Sequence, residues 1–210
     1  MSDHIAEQEQ AESLKRWWKE NGTVVIVGLV VGLAIVVGYR LWLDYTYGKA
    51  EAASAEYQQL MVELDQQTYD RVYDRGGRII SQYESTPYAQ LASLAMAKAY
   101  VAQDDLAGAA TQLRRVLQNA DSEAMQHVAR LRLARVLLSQ GSTSEALSLI
   151  ETVDGATFTS VYEELKGDIQ LAQQQPALAR TSYTKALALL GAGRDRSLLQ
   201  MKLDNVGPSN

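Results

Sequence analysis

The chain has 210 residues, no cysteine, two histidines and a formal net charge of −5. The charge is mild and dispersed, which argues against nucleic acid as the partner, because neutralising phosphates needs a concentrated basic face. Without cysteine there is no disulfide, thiol nucleophile or Cys-ligated metal, and either redox compartment is compatible. Three prolines and a single phenylalanine amid abundant Ala, Leu and Gln predict an all-α class.

Residues 1–20 form a short tail carrying Asp3, Glu7, Glu9, Glu12 and Glu20. Residues 21–39 then run NGTVVIVGLVVGLAIVVGY without a charge, long enough at the helical rise to cross a hydrocarbon core. Trp17, Trp18, Tyr39 and Trp42 bracket the run, and Lys19 and Arg40 can extend toward headgroups. A cleaved signal peptide needs small residues just after its apolar centre, whereas Tyr39, Arg40, Leu41 and Trp42 follow here. Residues 21–43 therefore read as a retained signal anchor. Lys15, Arg16 and Lys19 precede the run and Arg40 follows it, with Lys49 further out, a modest bias that favours the N-terminus inside. In a bacterium, that orientation puts residues 44–210 in the periplasm. Asn21-Gly22-Thr23 matches a glycosylation sequon but sits at the membrane on the inner side and is discarded. Gly28 and Gly32 form a small-xxx-small pair that lets two spans approach closely. Passive anchoring is the favoured alternative for them, since glycine is common in spans.

Beyond the anchor, no breaker except Gly48 interrupts residues 41–68, so the helix is expected to continue as the leading helix of a first repeat. Small residues recur at Gly76, Ala109, Ala146 and Ala179, spaced 33, 37 and 33 apart. Ile80, Leu113, Ile150 and Tyr183 follow four positions later, then Tyr83, Val116, Val153 and Ala186, giving one apolar helix face per repeat. The leading helices carry Met96-Ala97 with Tyr100, Leu133-Ala134 with Leu137, and, out of phase, Lys166-Gly167 with Leu171. Gly141 suits a left-handed cap and Pro176 a helix start. This pattern resembles the tetratricopeptide repeat, best over residues 160–190. The expected architecture is a transmembrane helix followed by a tetratricopeptide-like α-solenoid of about four hairpins.

Chemistry is sparse. His4 lies in the tail and His127 is expected on a helix surface, so no histidine metal site or relay forms within one domain. Asp104 and Asp105 read as a solvated turn, and Gly191-Ala192-Gly193-Arg194 as a mobile helix exit rather than a phosphate cradle. No catalytic residue and no cofactor, metal or small-molecule substrate is indicated. One cluster invites a role. The repeat frame puts Lys98 and Arg135 at equivalent positions, with Arg132 alongside. In a tetratricopeptide fold the leading helices line the groove, so these three cations can hold a carboxylate-bearing partner segment. The favoured competing reading is a solvated or internally paired face, for which Glu163, Glu164 and Asp168 of the next leading helix are available as partners.

Residues 15–22 (KRWWKENG), the anchor and the repeats together resemble the YfgM family, ancillary subunits of the bacterial SecYEG translocon. Residues 85–89 (STPYA), 131–137 (LRLARVL), Gly167-Asp168 and 199–205 (LQMKLDN) are similar to that family's motifs. Gln175-Pro176, in place of a Gly-Asp turn, and the last five residues depart from it. The resemblance implies an inner-membrane protein associated with the translocon and with a membrane-anchored periplasmic chaperone of the prolyl-isomerase type. Such a protein assists newly exported chains, its groove receiving a chaperone segment or an emerging client. A different class of function, an envelope-stress regulator acting through its cytoplasmic tail on a response regulator, is compatible with the acidic tail. An envelope hydrolase has no feature in its favour.

Overall fold

The computed structural model describes residues 2–120, 122–151, 158–191 and 196–206, with side chains at position 12 and from 14 onward within those ranges. Among them the order is α1 (Ser2–Asp65), α2 (Tyr69–Gln82), α3 (Pro87–Ala102), α4 (Leu106–Asn119), α5 (Glu123–Ser139), α6 (Thr143–Glu151), α7 (Thr159–Ala172), α8 (Pro176–Leu189) and α9 (Ser197–Asn205), with no strand. Val153 of the repeat pattern, residues 192–194 of the expected helix exit and residues 207–210 lie outside the described residues. Contacts divide the chain into two compact units, Met1–Glu51 and Ala52–Asn210.

The first unit contains helix long and apolar enough to cross a membrane, with a peak mean hydropathy of 2.5 over 18 residues and none of that window buried. Its valines, leucines and isoleucines from Val24 to Val37 are exposed, a composition that water disfavours and lipid accepts.

In the second unit, helices pair in sequence: the end of α1 with α2, then α3 with α4, α5 with α6 and α7 with α8, while α9 packs on α8. The same device closes each hairpin. Gln67, Asp104, Gly141 and Gln174 all adopt positive φ, between 58° and 77°. In each case the next amide reaches back five residues: Thr68 to the Glu63 carbonyl, Asp105 to Tyr100, Ser142 to Leu137 and Gln175 to Gln170, all at 2.9 Å. These are Schellman ends, in which a left-handed residue lets the chain satisfy orphan carbonyls and reverse. Only the third uses glycine, so three turns carry the steric cost of a Cβ in the left-handed region. Asp105 then caps α4, accepting from the Gly108 amide at 2.8 Å.

The turns define the repeat, spaced 37, 37 and 33 residues apart. Ala109, Ala146 and Ala179, each five residues past its turn, are fully buried, as the sequence pattern requires. In the first hairpin that position belongs to Val72, and Gly76 stands one helical turn later, level with Leu113, Ile150 and Tyr183. The alignment of Gly76 with the alanines is thus corrected by four residues. The physical reason is an exchange of volume. Gly167 on α7 faces Tyr183 on α8 so closely that a Cβ would lie 2.4 Å from the ring. In the first hairpin the large residue is on the leading helix, Leu60, and the glycine is Gly76, where a Cβ would lie 3.4 Å from Leu60 Cδ1 and 2.5 Å from Met96 Sδ. Ala97 with Leu113 and Ala134 with Ile150 occupy the same two positions, all in one apolar cluster. Each hairpin therefore holds one small and one large side chain, in either order. The phase of α7 resolves similarly: Gln170, not Leu171, stands level with Tyr100 and Leu137. Gln170 is buried and accepts from the Ser182 hydroxyl at 2.8 Å, while Leu171 is exposed.

A polar clamp ties α1 to α2. Arg75 donates from Nε and a terminal nitrogen to both Glu63 oxygens, at 2.8 and 2.9 Å, and from its other nitrogen to Glu56 at 2.6 Å. The Arg75 hydrogen bonds hold the Glu63 carboxyl below the usual carboxylate range against its burial.

Two measurements test this account. Thermal melts should show Gly141→Ala less stable and Gln174→Gly more stable, each by about 1 kcal/mol, since both sites are exposed and differ only in who bears the left-handed strain. Equal shifts of one sign would refute the turn argument. For the clamp, Glu63→Gln should cost about 2 kcal/mol at neutral pH. The Glu63 contribution is fully present above the ordinary carboxylate pKa and is lost as pH falls through the lowered one. Wild type and variant should therefore converge in acid denaturation curves, and a pH-independent gap would contradict the pairing.

Candidate partner-binding groove

Lys98 on α3 and Arg132 and Arg135 on α5 come together around one pocket of about 290 Å³. Its floor is apolar: Leu94 and Ala97 from α3, Leu113 from α4 and Val136 from α5 are buried, and Val101 at the edge is 45% exposed. Helical spacing explains the arrangement. Lys98 and Arg135 each lie six residues before a left-handed turn residue, so the repeat stacks them on neighbouring leading helices. Arg132 is one helical turn before Arg135 and joins the same rim.

These cations do not pair with Glu163, Glu164 or Asp168, and all three are exposed, as a solvated face also requires. Glu163 binds Lys185 of α8. Lys202 of α9 donates to Glu164 at 2.7 Å and to Asp168 at 2.8 and 2.9 Å. Lysines on two other helices thus take all three carboxylates, and Lys98, Arg132 and Arg135 have no carboxylate partner among the described residues. Arg132 does reach α1 electrostatically, opposing the burial that raises the Tyr57 phenol.

Asp168 is the turn-relative counterpart of Lys98 and Arg135, so the row of charges along the leading helices changes sign at α7. Tyr183 donates to Asp168 at 2.7 Å, and the Lys202 ammonium sits 6.0 Å above the Tyr183 ring. Burial opposes the Lys202 charge, but Asp168 and Glu164 more than offset it and leave its pKa raised. Leu199 and Leu203 of α9 pack with Ala179, Tyr183 and Ala186. The closing string at residues 199–205 is therefore a cap, with its leucines on the core and its lysine in the acidic site of α7.

His127 is not on the surface. It is 5% exposed, hydrogen-bonded through Nδ1 to the Tyr162 hydroxyl at 2.9 Å, and its ring lies 4.7 Å from that of Phe158. The start of α7 covers the first turns of α5. The spacing of His127, Leu131 and Ala134 on one helix face carries that information, and charge alone misleads. Residues 85–89 are also structural: the Thr86 hydroxyl donates to the Tyr83 carbonyl at 2.8 Å and Pro87 opens α3. On α1, a Cβ at Gly28 or Gly32 would meet nothing within 4 Å among the described residues.

An α-solenoid of Schellman-closed hairpins, joined in sequence to an apolar helix, defines a helical-repeat protein of the tetratricopeptide class. The model of the tetratricopeptide repeat-like domain matches residues 15–208. A protein of Haemophilus influenzae named "Ancillary SecYEG translocon subunit" is 30% identical over 98% of this chain and 100% of its own length. One of the same name from Aggregatibacter actinomycetemcomitans is 31% identical over 98% and 100%, and one from Escherichia coli K12 is 28% identical over 95% and 96%. No solved structure matches the chain. The chain belongs to the YfgM family of tetratricopeptide-like proteins, whose members bear that name.

The cap can be tested directly. Lys202→Met should leave two carboxylates facing each other and loosen α9, costing about 1 kcal/mol after allowance for its partial exposure. Hydrogen exchange should speed up across α9 while α3 and α5 keep their protection. Unchanged exchange in α9 would show that its apolar contacts alone hold it.

Proposed function

We propose that this protein is a non-enzymatic, membrane-anchored adaptor that works at the SecYEG translocon and links periplasmic chaperones to newly exported proteins. The observation that carries the reading is the near-full-length match to proteins named ancillary translocon subunits, which takes in both the apolar helix and the repeats. In this reading residues 1–20 are cytoplasmic, residues 21–43 span the inner membrane once, and residues 44–210 form the periplasmic repeat domain. The excess of Lys15, Arg16 and Lys19 over Arg40 supports that orientation. The uncovered Gly28 and Gly32 offer a close-packing face to a neighbouring span.

The mechanism needs no catalytic group. Anchoring confines the domain near the channel exit, which raises its effective concentration there. The Lys98, Arg132 and Arg135 rim then holds a carboxylate-bearing segment, either of a membrane-anchored chaperone of the prolyl-isomerase type or of an emerging client. Three cations with no carboxylate partner among the described residues, beside an apolar floor, support that role.

A photo-reactive side chain at Val101, on the pocket edge, should cross-link to translocon subunits or periplasmic chaperones in native membranes. The same group at Thr111, exposed on a trailing helix, should give far fewer such products. Absence of both partner classes from Val101, with the protein correctly inserted, would defeat the adaptor reading.

A further inference from the structure

The pocket also limits what it can hold. Its polar lining consists of three cationic side chains, all exposed at the rim, and no polar group lies on its floor. A small metabolite needs convergent polar groups to orient it, and at about 290 Å³ the space is at the lower edge of small-ligand sites. An apolar floor with a cationic rim instead matches one apolar side chain flanked by carboxylates.

The surface beyond the pocket extends this match. Val101, Leu138 and Leu171 lie three residues before successive left-handed turns, forming an apolar row one helical turn from the row of Lys98, Arg135 and Asp168. Val101 and Leu171 are 45% and 44% exposed, and Leu138 is half-buried. The last charge in the row is already answered by Lys202, so the open part of the row is cationic throughout. Chain chemistry favours a polypeptide over nucleic acid, since three cations in a protein of net charge −5 cannot neutralise a run of phosphates.

We propose that the groove between α3 and α5 selects an acidic peptide segment with an apolar anchor: a Leu-like side chain enters the floor beside Leu113 and Val136, and neighbouring Asp or Glu carboxylates bind Lys98, Arg132 and Arg135. This rests on the adaptor reading of the same groove and narrows its partner to a stated chemistry. Neither a purely acidic stretch nor a purely apolar one satisfies both the rim and the floor. The anchor supplies affinity by leaving water, and the carboxylates supply selection and salt sensitivity.

Fluorescence anisotropy on the full chain in detergent, with three short labelled peptides, tests this. One peptide has Leu flanked on both sides by Asp and Glu, the second has Ser for Leu, and the third has Lys for every acid. The first should bind, more weakly as ionic strength rises. The second should bind about tenfold more weakly, and the third not measurably. Lys98→Glu and Arg135→Glu should each weaken the first peptide about tenfold, and Arg135→Gln by less, while Thr111→Glu changes nothing. All these positions are exposed, so melting should stay near wild type and a lost signal reports the groove. Equal binding of the first two peptides would remove the apolar anchor from the proposal. Binding of the third, or indifference to Arg135→Glu, would overturn it. Failure of every peptide while Val101 still cross-links to export partners would refute this ligand chemistry alone. Peptide binding without such cross-links would keep the ligand chemistry and refute the adaptor role.

Discussion

Everything in the repeat domain is registered to four residues held at positive φ. A helix that simply frays at its end leaves its carbonyls to water and its exit direction undefined. A left-handed residue followed by the five-residue reach-back of the next amide fixes both. Because that motif recurs at Gln67, Asp104, Gly141 and Gln174, the pairs of residues that meet across each hairpin also recur at fixed offsets. The facing positions of the core and the row of charges on the leading helices both follow from the turns. Three of the four turns tolerate a side chain in a region that costs about 1–2 kcal/mol. Packing on both sides of each turn, with cores such as that of Leu60, Val72 and Ile79 fully buried, offsets that cost.

What the turns fix is position, and what the core asks for is total volume. The two requirements explain which parts of the fold were legible beforehand. Ala109, Ala146 and Ala179 carry the period because the small residue falls at the same offset in three hairpins. The first hairpin breaks the pattern with Val72, and its nearest small residue, Gly76, draws the alignment one helical turn away. Residue size alone cannot reveal the swap, because the space beside Gly76 is taken by Met96 and Leu60 and that beside Gly167 by Tyr183, and such compensation exists only across the interfaces. Gln170 shows the same limit. A glutamine in sequence looks like surface, and only Ser182 arriving from the next helix lets its carbonyl be buried.

Equivalence between repeats was readable for the groove, and pairing was not. Lys98 and Arg135 fall at one turn-relative position, so a correct period suffices to put them side by side. Their apparent partners Glu163, Glu164 and Asp168 are equally close in repeat number, but the decision lies with Lys185 and Lys202. Lys202 is 34 residues from Asp168, beyond the last hairpin, on a helix whose docking depends on Leu199 and Leu203. His127 was misplaced for a related reason. Its cover comes from Tyr162 on α7 and from Phe158, the residue just before that helix.

The cap and the groove are therefore one electrostatic arrangement. Without α9, the row along the leading helices would carry two cations and then a cluster of carboxylates, and a flexible acidic or basic segment could engage it in competing registers. Lys202 answers Glu164 and Asp168 from within the chain, in a partly buried setting where such contacts are screened less than at the open rim. With the carboxylates on α7 answered by Lys202, the rim of the groove carries a single sign above an apolar floor. In the proposed role of the groove, an internal ion pair at the end of the solenoid contributes to selection near its middle.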